Sequence, residues 1–368
     1  MAVIFDMVDD FGPEKVIYLS NPAAGLRAII VIDNTSLGPS LGGTRMAPDV
    51  TVQECARLAR AMSLKNAAAG LPHGGGKSVI RADPAMPDRE KQGLVRAFAQ
   101  AIAQIVDYVP GPDMGTNETC MAWVKDEIGR AVGLPRVIGG IPLDEIGATG
   151  LGVAAAAEVA QEFSGIALDG ARVAIQGFGA VGRHAARHLV QKGARIVAVS
   201  DSRGCAVKAD GLDVLRLDDL KAGRDSVKSY PGAKAAHRDA VILADCDILV
   251  PAARPDIIDR SNADAIRAKL IVQGANIPAT AGAEQMLHKR GVLVIPDFIA
   301  NAGGVICASV EHRGGTEAQA MTTITEMIRH NTRAVLQEVR EHGALPRHAA
   351  NRLAETRLRQ AMALRRSF

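Results

Sequence analysis

The chain has 368 residues, 48% of them hydrophobic, and carries 43 basic against 40 acidic side chains for a net charge of +3. That length exceeds what a single hydrophobic core usually serves, so two domains are expected. The nearly balanced charge, spread along the chain, leaves no electrostatic footprint for nucleic acid or an anionic membrane, and small molecules are the expected partners.

The amino terminus, MAVIFDMVDDFG, is short in apolar length and carries three aspartates, unlike the basic start and apolar middle of a signal peptide. No run reaches the ~18 apolar residues of a membrane span, and a cytoplasmic protein is expected. Cys55, Cys120, Cys205, Cys246 and Cys307 lie far apart with no C-x-x-C pair. They read as small buried side chains, and neither a disulfide framework nor a metal site is expected.

Up to about residue 110 strand-like and helical segments alternate. Leu26 to Asp33, LRAIIVID, predicts a strand closed by the turn-like NTSLGPS. Thr51 to Ala69 has helical spacing, with Thr51 as N-cap and Glu54 at capping-box distance. Near the end of that helix stands Lys65, where a cation also suits the helix dipole. Lys77 follows twelve positions later in LPHGGGKSVIRADP, directly after three glycines. Glycines let a backbone approach a ligand closely, so Lys77 is expected at the wall of a site, where a partly dehydrated lysine serves as an acid/base. His73, just before the glycines, reads as a loop residue. Asp113 lies in the Pro/Gly-rich YVPGPDMGTNE, where an aspartate also commonly caps a turn or the following helix.

After Gly133 the stretch GLPRVIGGIPLDEIGATG has no long periodic pattern and reads as the crossing between domains. A helix over Gly152 to Phe163, the strand ARVAIQG, a helix over Val181 to Lys192 and the strand ARIVAVSD follow. This order predicts a parallel sheet with right-handed crossovers. Gly177-Phe178-Gly179-Ala180-Val181-Gly182 is a G-x-G-x-x-G between strand and helix. The first glycine makes the tight turn, the second admits a pyrophosphate, and the third lets helix pack on strand. Asp201 ends the next strand, where a carboxylate would accept from ribose hydroxyls, so NAD is the expected cofactor. Ser202 and Arg203 offer a grip on a 2′-phosphate, which keeps NADP open. Further strands are expected at Asp247 to Val250, Leu270 to Gln273 and Val292 to Ile295, and a charged helical tail from Gly315 to Phe368. Two lysines, an aspartate and a nicotinamide suffice to oxidise an amine-bearing carbon: a cation fixes the carboxylate, a base activates water, and a carboxylate moves protons at nitrogen.

The blocks GPSLGGTRM, MSLKNAAAGLPHGGGKSVI, PGPDMGTNE, IQGFGAVG, VSDSRG, GANIPAT and PDFIANAGGV run in order from Gly38 to Val305. Through them the chain resembles the glutamate, leucine, phenylalanine and valine dehydrogenases. The resemblance implies an α/β fold with an N-terminal α/β catalytic and oligomerisation domain over 1–138. A Rossmann-like NAD-binding domain over 139–330 and a C-terminal helical segment over 331–368, returning to the first domain, would complete a homo-oligomer subunit. By the same resemblance Lys65 holds the substrate carboxylate, Lys77 is the acid/base and Asp113 transfers protons. Thr149 lies near the nicotinamide amide, Asn276 by the substrate or cofactor ribose, Asn301 at the cofactor and Gly42 at the substrate.

Glutamate-specific members carry a lysine before G-G-x-R and a serine seven positions after the asparagine of N-A-G-G; here Leu41 and Ala308 stand there. A second substrate carboxylate would be buried between them without a partner. Gly111 leaves room, and Val305 extends the apolar wall. The expected reaction is therefore reversible oxidative deamination of an apolar L-amino acid, of the phenylalanine or leucine/valine type, to the 2-oxo acid and ammonium with reduction of NAD. The alternatives are a glutamate dehydrogenase and a non-catalytic amino-acid or nucleotide sensor, which would not need Lys77 and Asp113 together. A 2-hydroxy acid dehydrogenase would want a histidine acid/base in an arginine-histidine constellation, and none surrounds His73.

Overall fold

The computed structural model describes residues 4–365, arranged as two compact units. The first comprises the residues up to Pro142, Val305–Ala320 and those from Asn351 on. Its strands β1 (Lys15–Asn21), β2 (Leu26–Asn34), β3 (Ser40–Ala47), β4 (Gly74–Arg81) and β5 (Tyr108–Pro112) form one sheet in the order β1-β2-β4-β3-β5. β2 runs antiparallel to β1 and β4, whereas β3 is parallel to β4 and β5. The helices are α1 (Val52–Ala69), α2 (Asp88–Ala101) and α3 (Glu118–Ile128).

The two-residue period of the strands sorts their side chains. Ile30, Ile32, Met46, Ile80 and Tyr108 face Leu94, Val95 and Phe98 of α2 and Cys120, Met121 and Val124 of α3. Val31 and Val79 point to the opposite face, against Cys55 and Ala59 of α1. Thr51 caps α1 by accepting the Glu54 N–H at 3.1 Å, a cap worth ~1 kcal/mol.

The three glycines before Lys77 lie within β4 and have a packing role. A Cβ on Gly74 would sit 1.9 Å from the Asn34 carbonyl oxygen, one on Gly75 2.0 Å from Ser63 N of α1, and one on Gly76 3.1 Å from the Tyr108 ring. Only hydrogen fits where α1 and the neighbouring strands close on β4 this tightly. A helix approaches Gly75, and the neighbouring strands close on Gly74 and Gly76.

The second unit comprises Leu143–Gly304 and Met321–Ala350. It begins with α4 (Ala148–Ser164), β6 (Arg172–Gln176), α5 (Ala180–Gln191), β7 (Arg195–Asp201) and β8 (Gly204–Val207). Then come α6 (Val214–Ala222), β9 (Lys234–Ala236), β10 (Ile248–Pro251), β11 (Leu270–Val272), α7 (Ala281–Lys289), β12 (Leu293–Ile295) and α8 (Asp297–Ala300). The sheet order is β12-β11-β10-β6-β7-β8-β9. From β12 to β7 it is parallel, as expected of a Rossmann-like unit. β8 and β9 extend it antiparallel, which the sequence pattern does not foretell. The reversal after β7 is fixed by Asp201, whose Oδ1 accepts from the Arg203 and Gly204 N–H groups at 2.9 and 3.2 Å.

Three longer helices follow, α9 (Gly303–His312), α10 (Glu317–His342) and α11 (Pro346–Ala363), and they divide otherwise than the 331 boundary anticipates. Val305–Ala320 groups with the first unit, because the Glu311 carboxylate accepts the Gly133 and Leu134 N–H groups at 3.1 and 3.0 Å. Met321–Ala350 stays with the second unit, anchored there by Arg347. The end of α11 returns to the first unit, where Arg357 donates to the Ala67 and Ala68 carbonyls at 3.1 and 2.7 Å. Among the described residues no helix is long and apolar enough to cross a membrane.

Candidate active site

In the first unit one face of the sheet gathers the expected catalytic residues. Val31 of β2 pairs with Lys77 of β4. Leu41 of β3 pairs with Gly75 of β4 and Val109 of β5, and Gly43 with Gly111. Because strand side chains alternate, Leu41, Gly43, Lys77, Val109 and Gly111 share a face. Lys77 is 5% exposed, and its Nζ lies 2.8 Å from Oδ2 of Asp113, one residue beyond β5. Arg45 Nε donates to the same oxygen at 3.0 Å. Gly43 completes the enclosure, since a Cβ there would lie 2.8 Å from Asp113 Cβ and 3.0 Å from Lys77 Nζ.

Burial alone would push the Asp113 carboxyl up, but the charge of Lys77, its hydrogen bond and the charge of Arg45 outweigh that and hold it below the usual carboxylate range. Asp113 is therefore a carboxylate at neutral pH, in contact with an ammonium that can exchange a proton with it. Arg45 escapes a reading by motif alone. It stands three positions after Gly42 in GGTR, and only the β3–β5 pairing brings it to Asp113.

Next to this ion pair on the same face is an apolar cluster of Leu41, Val109, Val132 and Ala308, with Met62 of α1 packed against it. Leu41 is 3% and Ala308 6% exposed. The two residues singled out for specificity thus meet, joined by Val109, Val132 and Met62, which carry no signal beyond hydrophobicity. A Cβ on Gly111 would lie 3.1 Å from Val132 Cγ2, so Gly111 borders the cluster with little space to spare. Gly42 turns to the other face of β3, its carbonyl accepting from the Tyr108 hydroxyl at 3.0 Å. Val305 is half-buried one turn before Ala308 on α9, and Lys65 is half-buried one turn beyond Met62 on α1.

The second unit carries the glycine turn. Gly177 has φ +93°, and a Cβ there would strike Ala253 at 2.4 Å; one on Gly182 would strike the Gly177 carbonyl oxygen at 1.8 Å; one on Gly179 would meet nothing within 4 Å. The turn, the open approach and the helix–strand contact therefore fall on the three glycines as a dinucleotide phosphate requires. Phe178 is buried, while Ala180 and Val181 open α5, whose free N–H groups suit an anion. A cavity of about 310 Å³ adjoins the turn, lined among others by Gly177, Gly179, Asp201, Ser202, Lys221 and Arg254. These features fit a nicotinamide dinucleotide.

Asp201 reaches this cavity, but its oxygens are taken. Besides the Arg203 and Gly204 N–H groups they accept from Ser226 Oγ at 2.9 Å, Val227 N at 3.0 Å and Lys221 Nζ at 3.3 Å. Burial would raise this carboxyl, yet the Val227 and Arg203 amides, Ser226 and Lys221 keep it below its ordinary value. Arg203 turns away to donate to the Arg224 carbonyl at 2.7 Å. Arg238 and Arg254, unremarked in the sequence, line the cavity instead.

Asn276 is exposed after β11 and its Oδ1 accepts from Nδ2 of the buried Asn301 at 2.9 Å. Thr149 lies in the first turn of α4, its Oγ1 beside Gly304.

A family model described as Glutamate/Leucine/Phenylalanine/Valine dehydrogenase matches residues 139–366, and one described as Glu/Leu/Phe/Val dehydrogenase, dimerisation domain, matches residues 13–130. The chain is 41% identical over 292 residues to the NADP-specific glutamate dehydrogenase of Saccharolobus shibatae, covering 76% of this chain and 69% of that protein. It is similar in structure to the hetero-hexameric glutamate dehydrogenase from Thermus thermophilus, Leu bound form, with a TM-score of 0.84, 30% identity, and coverage of 97% of this chain and 91% of that one. It is also similar to L-tryptophan dehydrogenase from Nostoc punctiforme, with a TM-score of 0.78, 28% identity, and coverage of 98% and 100%.

Proposed function

Since the chain belongs to the glutamate/leucine/phenylalanine/valine dehydrogenase family and is an amino acid dehydrogenase using a nicotinamide cofactor, we propose that it deaminates an apolar L-amino acid reversibly to the 2-oxo acid and ammonium. The observation that carries the choice of substrate is the buried cluster of Leu41, Val109, Val132, Ala308 and Met62 beside Lys77 and Asp113. An apolar side chain entering there gains about 0.8 kcal/mol per CH₂ buried. A glutamate carboxylate would lose its hydration among apolar side chains instead.

In this reading Lys65 anchors the substrate carboxylate. The nicotinamide nucleotide, held at the Gly177–Gly182 turn with Thr149, Asn276 and Asn301 around it, supplies the hydride acceptor. Across the 2.8 Å contact Lys77 first gives its proton to Asp113; the neutral amine then takes a proton from the water that attacks the substrate imine carbon, and Asp113 returns its proton to the departing nitrogen. The first unit's family match further supports assembly of identical subunits into an oligomer.

The experiment is to follow reduced nicotinamide with purified protein across phenylalanine, tryptophan, leucine, valine, alanine and glutamate at equal concentration. Faster oxidation of glutamate than of any apolar amino acid would refute the pocket. Gly111→Ala adds a methyl against Val132. It is expected to shift the ratio of kcat/KM from phenylalanine toward valine by about fourfold, the effect of one methylene; an unchanged ratio would remove Gly111 from the pocket wall.

For the cofactor, NADP is proposed alongside NAD, a revision of the preference drawn from Asp201 alone. That carboxylate is neutralised by protein donors, while Ser202, Lys221, Arg238 and Arg254 line the cavity where a 2′-phosphate would lie. NADP is expected to support turnover within about tenfold of NAD, a difference near 1.4 kcal/mol. Asp201→Ala is expected to lower Tm by loosening the β7–β8 turn, and to leave the NAD/NADP ratio of kcat/KM within about threefold. A larger move of that ratio toward NADP would return Asp201 to the ribose.

A further inference from the structure

The loop after β11 that carries Asn276 is held in a conformation its sequence does not favour. Ile277 has φ +48°, a left-handed geometry that a β-branched side chain strongly disfavours. The same loop is tied to one carboxylate. Asp297, at the start of α8 and 6% exposed, accepts the Ile277 N–H on Oδ2 at 2.8 Å. Its main-chain carbonyl accepts the Asn301 N–H at 2.7 Å. Asp297 thus binds the residue after Asn276 through its side chain and Asn301 through its main chain.

The side chains of Asn276 and Asn301 are fixed in turn. Asn301 Nδ2 donates to the Ala275 carbonyl at 3.3 Å and to Asn276 Oδ1 at 2.9 Å. A carbonyl only accepts, so the Asn301 amide has one orientation, and Asn276 must give it its oxygen. That leaves the NH₂ group of Asn276, an exposed residue, as the donor end of its amide.

Asp297 is itself oriented by Arg347 at the start of α11. Nη1 of Arg347 donates to Asp297 Oδ1 at 2.9 Å, Nε to Glu284 Oε2 at 2.7 Å, and Nη2 to Glu284 Oε1 at 2.7 Å and Gln273 Oε1 at 2.9 Å. Gln273 also receives the Asp297 N–H at 3.0 Å. Gln273 and Glu284 are 0% and 3% exposed. One guanidinium fork therefore sets the carboxylate whose other oxygen restrains Ile277.

We propose that Asp297, oriented by Arg347, is the positioning residue that holds Ile277 in its left-handed turn and so aims the donor amide of Asn276 at the cofactor ribose. This rests on the reading above that Asn276 works at that site.

The test uses the full-length enzyme, with steady-state kinetics, ADP binding as a probe of the adenine half of the cofactor site, and thermal melting. Asp297→Asn keeps the shape, but its amide cannot accept from both Arg347 and Ile277. It is expected to lower kcat about tenfold or more, as misaimed contacts do, with ADP affinity within about twofold of wild type. Glu284→Gln loosens the same buried network without touching Ile277. It is expected to lower Tm while leaving kcat within about twofold. Glycine tolerates the left-handed turn freely, so Ile277→Gly in the Asp297→Asn background is expected to restore kcat to within about threefold of wild type. Unchanged kcat in Asp297→Asn, an equal kcat loss in Glu284→Gln, or no rescue by Ile277→Gly would each overturn the proposal. Should Asp297→Asn fail to fold, Arg347→Lys, which cannot serve both carboxylates, carries the same comparison and the same rescue. Asn276→Ala separates the two levels. Full activity in that variant would remove Asn276 from the site and this inference with it, whereas an impaired Asn276→Ala beside an active Asp297→Asn would overturn the positioning alone.

Discussion

Replacing Lys77 by alanine is expected to lower kcat by at least ~10²-fold, the usual cost of losing a general base, with nucleotide binding unchanged. The fold should tolerate the change. Arg45 Nε remains 3.0 Å from Asp113, so the carboxylate keeps a cationic partner after Lys77 is removed. The glycine turn that would hold the nucleotide belongs to the other unit. Asp113, held below the ordinary carboxylate range, stays ionised as pH falls from neutral toward its unperturbed value. Its protonation accordingly contributes no loss of rate until pH drops below the usual range for an aspartate. The measurement is single-turnover and steady-state reduction of the nicotinamide, with melting temperature as the control for folding. A folded Lys77→Ala enzyme with near-normal turnover would take Lys77 out of the mechanism.

The second large effect is expected from Leu41→Lys combined with Ala308→Ser. Both positions lie in the same buried cluster. The new ammonium and hydroxyl would give a substrate's distal carboxylate two donors where it has none. Hydrogen bonds to a charged group are worth ~1.5–3 kcal/mol each. The glutamate-to-leucine ratio of kcat/KM is therefore expected to rise ~10²-fold or more, partly because leucine would now leave an ammonium buried without a partner. The same buried charge should lower Tm when no substrate is bound. A folded double variant whose ratio does not move would show that these positions do not touch the substrate side chain, and the apolar assignment would then lose its basis.

How much of this was legible along the chain differs from element to element. The Gly177–Gly182 turn was readable because its requirements are local: a positive φ, an uncovered backbone and a close helix–strand contact each demand glycine within a few residues. The N-cap at Thr51 and the parallel core strands β6, β7, β10, β11 and β12 were readable for the same reason, since side-chain capping and apolar runs are set by near neighbours. Lys77 and Asp113 could be singled out by residue type and setting and assigned to one reaction, but their 2.8 Å contact was not readable along the chain. The GGG before Lys77 was visible, although its cause, the close packing of α1 and the neighbouring strands around β4, was not.

By itself, then, the sequence determined an α/β chain with a dinucleotide turn and a family membership carried by short motifs, because those features depend on local backbone geometry and residue chemistry. Tertiary structure alone decided that Arg45 meets Asp113, and that Leu41 and Ala308 share one apolar cluster with Val109 and Val132. It also decided that Asp201 spends its oxygens on its own turn and on Ser226, Val227 and Lys221, and that Val305–Ala320 belongs with the first unit. Each of these rests on pairing register, or on burial among residues far apart in the chain. Strand register is chosen by the whole sheet and the helices covering it, so no local window of residues contains it.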